Sequence, residues 1–283
     1  METVKKNFMP ELQNSEGGHR GPRDLSSNAI MAHLRGDFWK KIICYESVDS
    51  TNELALALSL KSPESGTVII ADSQAKGRGR LGRVWVSPPG RNIYMSAILT
   101  PEIELRDATL LTVVAALACA SALRNKTGLI ANIKWPNDLI VGGKKIGGIL
   151  TELRSGHDKI NFAVMGIGIN VNSGGDDFPE ELERIATSVK EETGRNQSRS
   201  GIIAEVLNEV ERWYEKLMNE GRFPLLEEWR KLSSTVGKRV RVTLCREVLS
   251  GFAEDIDKEG MLVLKLASGE RRRISAGDLT ELR

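Results

Sequence analysis

The chain has 283 residues, enough for one large domain and a small one. With 40% hydrophobic residues, 28% charged residues and a formal net charge of +2, it has the composition of a soluble globular protein and lacks the charge excess of a non-specific nucleic-acid binder. Three cysteines (Cys44, Cys119, Cys245) and three histidines, none at metal-ligand spacing, argue against a disulfide framework, a structural zinc and a histidine-based triad, and they point to a reducing compartment.

Residues 1–36 are polar and glycine-containing. They read as a partly flexible N-terminal extension with a short helix near Ser26–Leu34, capped by Ser26 or Ser27. The chain opens on acids and glycines rather than a basic-then-apolar leader, so a cytoplasmic protein is expected. Lys41–Glu46 predicts a strand. Asp49 or Ser50 then caps a helix to about Leu60, with Leu54, Ala55 and Leu58 on one face. Thr67–Ala71 is the next strand, followed by a long charged loop through Arg91. Asn92–Leu99 reads as a strand and Asp107–Arg124 as a helix capped by Asp107. Its apolar run, Thr109 to Leu123, falls short of the ~20 residues that span a bilayer and reads as a buried core helix. No membrane association is expected.

Ile130–Lys134, Asp138–Val141, Lys145–Glu152 and Asn161–Asn170 read as four more strands, with Gly142-Gly143 as a hairpin signal. Arg199–Met218 is amphipathic, its apolar residues from Ile202 to Leu217 at 3.6-residue spacing. A second helix is expected over Pro224–Leu232. After Gly237 the pattern changes to five short strands: Arg239–Cys245, Val248–Asp255, Gly260–Leu266, Glu270–Ile274 and Asp278–Leu282. Close spacing and turns such as Asp257-Lys-Glu-Gly260 suggest a small β-barrel. The expected division is 1–36, 37–235 and 236–283.

Lys76-Gly-Arg-Gly-Arg-Leu-Gly-Arg83 puts four cations and three glycines into eight residues. Like charges repel and glycines are costly to order. Such a loop is expected to close around an anion, with guanidinium groups gripping its oxygens in pairs. Gly77–Gly82 also matches G-x-G-x-x-G, the dinucleotide fingerprint. That motif needs a following helix, which Val84-Trp-Val86 and Pro88-Pro89 do not provide. With Val84 the run matches the kinase glycine-rich loop, but no H-R-D or D-F-G is present.

Other motifs accompany it: Asp49-Ser-Thr-Asn52 upstream, then Lys134-Trp-Pro-Asn-Asp138, Lys144-Lys-Ile-Gly-Gly-Ile-Leu-Thr-Glu152 and Gly166-Ile-Gly-Ile-Asn-Val-Asn172 downstream. In this order and spacing the set resembles the biotin protein ligases, strongly from Cys44 to Asn172 and loosely beyond. The resemblance implies an α+β fold: a mixed sheet flanked by helices, of the class II aminoacyl-tRNA-synthetase-like or biotin–lipoate ligase type, plus a C-terminal SH3-like barrel. It implies two steps. Biotin's carboxylate attacks the α-phosphate of ATP, giving biotinyl-5′-AMP and pyrophosphate. A lysine of a biotin carboxyl carrier domain then displaces AMP. Mg2+ would accompany ATP, and no prosthetic group is expected.

By the same resemblance, Lys134 and Arg80 would be the catalytic cations. Ser50, Thr51, Asn52 and Gln74 would hold the ureido end of biotin, with Arg78, Gly79, Arg80 and Lys134 around its carboxylate. Arg80, Arg83, Lys134, Asn137, Lys145, Asn170 and Arg283 would meet ATP or the adenylate. Trp85 stacks on adenine or fills the core. Asn170 and Asn172 face the nucleotide or form a turn. Asp138 is the candidate metal contact. Members that repress transcription carry an N-terminal winged helix-turn-helix of about sixty residues, and the stretch before the ligase-like region is too short for one. DNA binding is therefore not expected, and a homodimer is left open. Two other readings stay in view: a lipoate or octanoate ligase or transferase of the same fold, and a biotinyl-AMP-sensing regulator.

Overall fold

A computed structural model describes residues 24–244 and 246–282. Most of the N-terminal extension, Cys245 and Arg283 lie outside these residues. Helix α1 (Ser27–Met31) opens on Ser26, whose hydroxyl accepts from the Ala29 N–H at 3.2 Å. Then come β1 (Lys41–Val48), α2 (Thr51–Lys61) and β2 (Thr67–Gln74), a β-α-β unit with the two strands parallel. Strand β3 (Ile93–Leu99), helix α3 (Thr109–Thr127) and strands β4 (Asn132–Lys134), β5 (Asp138–Val141), β6 (Lys144–Gly156) and β7 (Lys159–Ile169) follow.

The seven strands form one sheet in the order β1-β2-β3-β7-β6-β5-β4. Every pairing except β1 with β2 is antiparallel, so the sheet is mixed, as expected. Gly142 and Gly143 join β5 to β6 with φ of +57° and +82°, the left-handed pair that a tight hairpin turn requires.

Alternation along the strands splits the apolar residues between two faces. Val68, Ile70, Met95, Ala97, Met165 and Ile167 meet α3 in the main core, whereas Ile69, Ile98, Phe162 and Val164 pack with Ala55 of α2 on the other side. Because both faces are covered, Val68–Ala71 of β2 is an unbroken apolar run and β3 is apolar but for Ser96, where a half-exposed strand would alternate. Helix α3 is long and apolar enough to cross a membrane, but it is buried in the main core.

Two short helices, α4 (Glu180–Glu183) and α5 (Val189–Thr193), were not foreseen. Helices α6 (Arg199–Glu220) and α7 (Phe223–Leu232) cover α3 on its outer side. The chain ends in a second sheet of β8 (Arg239–Thr243), β9 (Val248–Ile256), β10 (Leu262–Leu266), β11 (Arg271–Ile274) and β12 (Asp278–Glu281), all antiparallel in the order β11-β10-β9-β8-β12. This is the small C-terminal β unit expected from the sequence, and it is consistent with an SH3-like domain.

One cap was misassigned. Asp107 does not cap α3, which starts at Thr109 after Ala108 with no side-chain cap. The Asp107 carboxylate instead receives Arg222, 2.9 Å away and more than a hundred residues on. A charged long-range partner outcompetes a local N–H.

A second ion pair ties down the start of the described chain. Arg199 is only 1% exposed. Its guanidinium grips both oxygens of Asp24 at 2.7 Å and one of Asp72 at 2.6 Å. The hydrogen bond from Arg199 holds the Asp24 carboxyl below its usual value. A depressed carboxylate stabilises the fold above its unfolded-state value, and that contribution is lost as pH falls through the folded-state value. Asp24→Asn is therefore expected to lower the thermal midpoint by a few degrees at neutral pH. The gap to the parent should close as pH falls below about 4. A gap independent of pH would mean that Asp24 acts by packing alone.

Candidate active site

Register aligns the site. Residues directly paired across strands share a face. Lys134 pairs with Asp138, Asp138 with Gly148, Gly148 with Gly168 and Gly168 with Tyr94. One step along, Leu150 pairs with Gly166 and Gly166 with Ser96. Both rows lie on the face that α2 covers. On β7, helix α2 shields Phe162 and Val164. Beyond it, where Gly166 and Gly168 succeed them on β7, a cavity of about 660 Å³ opens.

The two glycines of Gly166-Ile-Gly168 serve side chains from other motifs. A Cβ on Gly166 would sit 2.1 Å from Asn52 Oδ1, and one on Gly168 would sit 2.6 Å from the Trp85 ring. Asn52 and Trp85 thus lie flat on a floor that only glycine permits.

At one end of the cavity is the turn into α2. Ser50 is its N-cap, accepting from the Glu53 N–H. The Thr51 N–H donates to Gln74 Oε1 at 2.9 Å, and Gln74 Nε2 donates to the Ser87 hydroxyl at 2.9 Å. Asn52 Nδ2 donates to the Leu150 carbonyl at 3.0 Å and to Glu152 Oε2 at 2.9 Å. Ser96 approaches Asn52 Oδ1 at 2.6 Å. The Asn52 amide is therefore fully engaged within the protein, although Ser50, Thr51, Asn52 and Gln74 all line the cavity.

The cationic loop is a hairpin rather than an irregular span. Arg78 bridges Val84, the Gly79 N–H donates to the Arg83 carbonyl at 2.7 Å, and the Trp85 N–H donates to the Gly77 carbonyl at 2.9 Å. Its tip is a single 3-10 turn, Arg80–Gly82, with Leu81 and Gly82 left-handed. The three arginines diverge. Arg78 faces Glu53 and Glu152 at 3.4 and 3.5 Å. Arg83 pairs with Asp278 of β12. Arg80 is the half-buried one, donating to Asn137 Oδ1 at 3.1 Å. Burial lowers the pKa of its guanidinium, while Asp138 and Asp278 act in the opposite sense. Gly79 lines the cavity beside them.

Opposite the hairpin, Lys134 ends β4. Among the described residues its ammonium has no hydrogen-bond or ion-pair partner. Lys145 does: it meets Asp138 at 2.6 Å and lies 5.4 Å from the centre of the Trp85 ring. Asn137 braces the turn, donating to the Ile149 carbonyl at 2.7 Å. The Trp85 Nε1–H is buried with no partner among the described residues. A native structure rarely leaves such a donor unmatched, and a ligand accepting there would satisfy it.

Asn170 lines the cavity but donates to the Thr187 carbonyl at 3.0 Å. For Asn172 the structure favours the second of the two readings: its amide exchanges hydrogen bonds of 3.0 and 2.8 Å with the Gln197 backbone, outside the cavity. It shapes a turn. Arg283 lies outside the described residues. Asp138 is held by Lys145, and no cluster of three metal-ligating side chains exists among the described residues. A hard cation here would rely on one carboxylate and on ligand oxygens, the usual situation for Mg2+ bound with phosphates.

Several lining residues were not foreseen: Tyr94, Ile185 and, from the C-terminal sheet, Lys238 and Asp278. Nor was Ser96, which lies fully buried behind the lining, against Thr51 and Asn52. Ser96 left a signal, as the lone polar residue in the apolar strand Ile93–Leu99. Cys44 and Cys119 are free but lie away from the cavity, and burial pushes the Cys44 thiol up to about 11.

A polar turn, a cationic hairpin and a lysine unpaired among the described residues surround one cavity over a glycine floor, on a mixed sheet of the biotin/lipoate A/B protein ligase type. The model of the biotin/lipoate A/B protein ligase family matches residues 44–170, and that of the biotin protein ligase C-terminal domain matches 235–279. The chain belongs to the biotin protein ligases. It is 36% identical over 256 residues to the bifunctional ligase/repressor BirA of Bacillus subtilis, covering 90% of this chain and 79% of that protein. It is 32% identical over 273 residues to the biotin–[acetyl-CoA-carboxylase] ligase of Mycobacterium tuberculosis, covering 93% and 97%. The solved structure of the Aquifex aeolicus biotin protein ligase, in complex with biotin and ATP, superposes with a TM-score of 0.73 at 30% identity, covering 86% of this chain and 99% of that one.

Proposed function

We propose that this chain is an ATP-dependent biotin–[acetyl-CoA-carboxylase] ligase, acting in the cytoplasm on a lysine of a biotin carboxyl carrier domain. One observation carries the reading: a single cavity joins the Ser50–Asn52 turn, the Arg80 guanidinium and Lys134, which is unpaired among the described residues. The Ser50–Thr51–Gln74 end takes the ureido ring. Lys134 and Arg80 stand where the biotin carboxylate and the α-phosphate must meet. A carboxylate oxygen bonds to the α-phosphorus and the bond to the β-phosphate breaks, releasing pyrophosphate. Both reactants are anions, so the enzyme's task is charge neutralisation and in-line positioning rather than nucleophilic attack. The carrier amine then bonds to the acyl carbon, AMP leaves, and the amine proton passes to solvent.

Trp85, with its unmatched N–H over Gly148 and Gly168, is suited to the adenine. Lys145, Asn137 and Asn170 line the same end. Mg2+ arrives with ATP, held chiefly by its phosphates, with Asp138 the carboxylate at hand. Arg83 is available to phosphate once it leaves Asp278.

The test is pyrophosphate exchange into ATP with biotin, lipoate and octanoate side by side. Exchange with biotin alone is expected. Exchange with lipoate and none with biotin would replace this reading by the lipoate ligases.

The hairpin yields a further expectation. Arg80→Gly removes the one loop arginine directed at Asn137 and should still form biotinyl-AMP but hold it less tightly. Escaped adenylate would biotinylate a bystander such as albumin, about tenfold or more above the parent. Biotin should also protect the parent's hairpin from proteolysis. Equal retention of adenylate and unchanged cleavage would show that the hairpin is no lid.

A further inference from the structure

The hydrogen-bond partners of Asn52 determine which way a hydroxyl in the cavity points. Its amide nitrogen has two hydrogens, and both are directed at acceptors: the Leu150 carbonyl at 3.0 Å and the Glu152 carboxylate at 2.9 Å. Both partners are acceptor oxygens, a backbone carbonyl and a carboxylate, so the amide has one orientation, with Oδ1 toward Ser96. Gly166 allows it to lie there, since any Cβ would collide with it.

Ser96 is fully buried and sits 2.6 Å from Asn52 Oδ1 and 2.8 Å from Thr51 Oγ1. A hydroxyl has one hydrogen. Two oxygens 2.6 Å apart with no hydrogen between them would repel, so the Ser96 hydrogen belongs to Asn52. The Thr51 hydroxyl then has two acceptors for its own hydrogen: Ser96 Oγ at 2.8 Å or Gln74 Oε1 at 3.2 Å. Both are side chains of the protein. What Thr51 turns to the cavity is its lone pairs.

We propose that Ser96 and Asn52 are positioning residues that hold the Thr51 hydroxyl as a hydrogen-bond acceptor for a ring N–H of the ureido group. The inference rests on the reading that the Ser50–Asn52 turn takes that ring. Asn52 is thus not itself a contact of biotin. It transmits the fixed polarity of the Leu150 carbonyl and Glu152 to Thr51 through Ser96. A ureido ring offers two N–H donors and one carbonyl, and a site with a fixed acceptor selects that pattern over rings that lack the donor. Without the relay, the Thr51 hydrogen is left with the longer contact to Gln74 Oε1, 3.2 Å away, or with the cavity, where it opposes the ring N–H.

The experiment is a double-mutant cycle on the full chain: biotin affinity by calorimetry for the parent, Ser96→Ala, Thr51→Val and both together. Ser96→Ala is expected to weaken biotin about tenfold, the scale of one hydrogen bond turned from favourable to opposed. The KM for ATP should be unchanged. In the Thr51→Val background, where no hydroxyl remains to be oriented, Ser96→Ala should have no further effect. An equal loss in both backgrounds, or a parallel rise in the KM for ATP, would make Ser96 a packing residue and overturn the relay. Parent-like affinity in Ser96→Ala would overturn it as well. A different result marks failure of the underlying assignment: if Thr51→Val binds biotin as the parent does, the turn is not the ureido subsite. Should Ser96→Ala not fold, Ser96→Cys enters the same cycle, with a weaker donor of similar shape and a smaller loss expected.

Discussion

Lys134→Ala is expected to slow formation of the adenylate by at least ~10²-fold, the scale for losing one preorganised charge donor. Of the cations lining the cavity, Arg78 faces Glu53 and Glu152, Arg83 faces Asp278 and Lys145 faces Asp138. Lys238 faces Glu281, so Lys134 and Arg80 are left without a carboxylate partner among the described residues, and of the two only Arg80 has a hydrogen-bond partner, Asn137. An ammonium already free of a carboxylate has no ion pair to break when charge builds at the reacting phosphate. Its reach is set by β4, which places it directly opposite Asp138 and across the floor from Gly148. Single-turnover formation of biotinyl-AMP is the measurement, with biotin affinity followed separately. Lys134→Arg should restore little, because a planar fork does not replace a compact ammonium. Near-parent single-turnover rates in the alanine variant would remove Lys134 from the catalytic set.

Gly166→Ala is expected to be nearly as damaging, by a different route. The new Cβ would stand 2.1 Å from Asn52 Oδ1 and 2.7 Å from its Cγ. Asn52 is buried and held through both ends of its amide, so it cannot swing aside cheaply. Overpacking costs about 1–3 kcal/mol and stranding a buried amide about as much again. The thermal midpoint should fall, and the rise in midpoint that biotin gives the parent should shrink, since ligand stabilisation follows affinity. Gly174→Ala is the control. Nothing lies within 4 Å of its Cβ position and its φ of −110° suits any residue, so both readouts should match the parent. If Gly166→Ala keeps the parent's biotin response, the floor tolerates a side chain and the close approach of Asn52 is not needed.

These two residues illustrate what the sequence could convey. The place of Lys134 at a strand end was legible because it sits in Lys-Trp-Pro-Asn-Asp, whose turn residues act locally. The strands and long helices were legible for the same reason: periodicity and caps are short-range, as with Ser26 before α1 and Gly142-Gly143 between β5 and β6. Gly166 stood out as a motif letter, but its purpose did not, because the side chain it accommodates comes from Asn52, more than a hundred residues earlier. Asp107 was assigned a cap by local logic, and Arg222 claimed it from the far side of the core. Asn172 was left open between the nucleotide and a turn, and its partner is the Gln197 backbone. Where a polar residue has a local and a distant partner to choose from, the outcome depends on register and packing that a single sequence does not encode in any window.

Helix α3 carries a consequence for how the chain is made. Twelve of its 19 residues are buried, and they surround the helix instead of forming one stripe. On the ribosome the N-terminal side emerges first. When α3 appears, only β1, β2 and β3 of its sheet are available, and its outer cover, α6, lies about seventy residues behind. During that interval the nascent chain presents an apolar rod with no finished surface to bury it. Such a segment is a natural client for chaperones that hold hydrophobic stretches, and a chain cut short before residue 199 would keep that surface permanently uncovered.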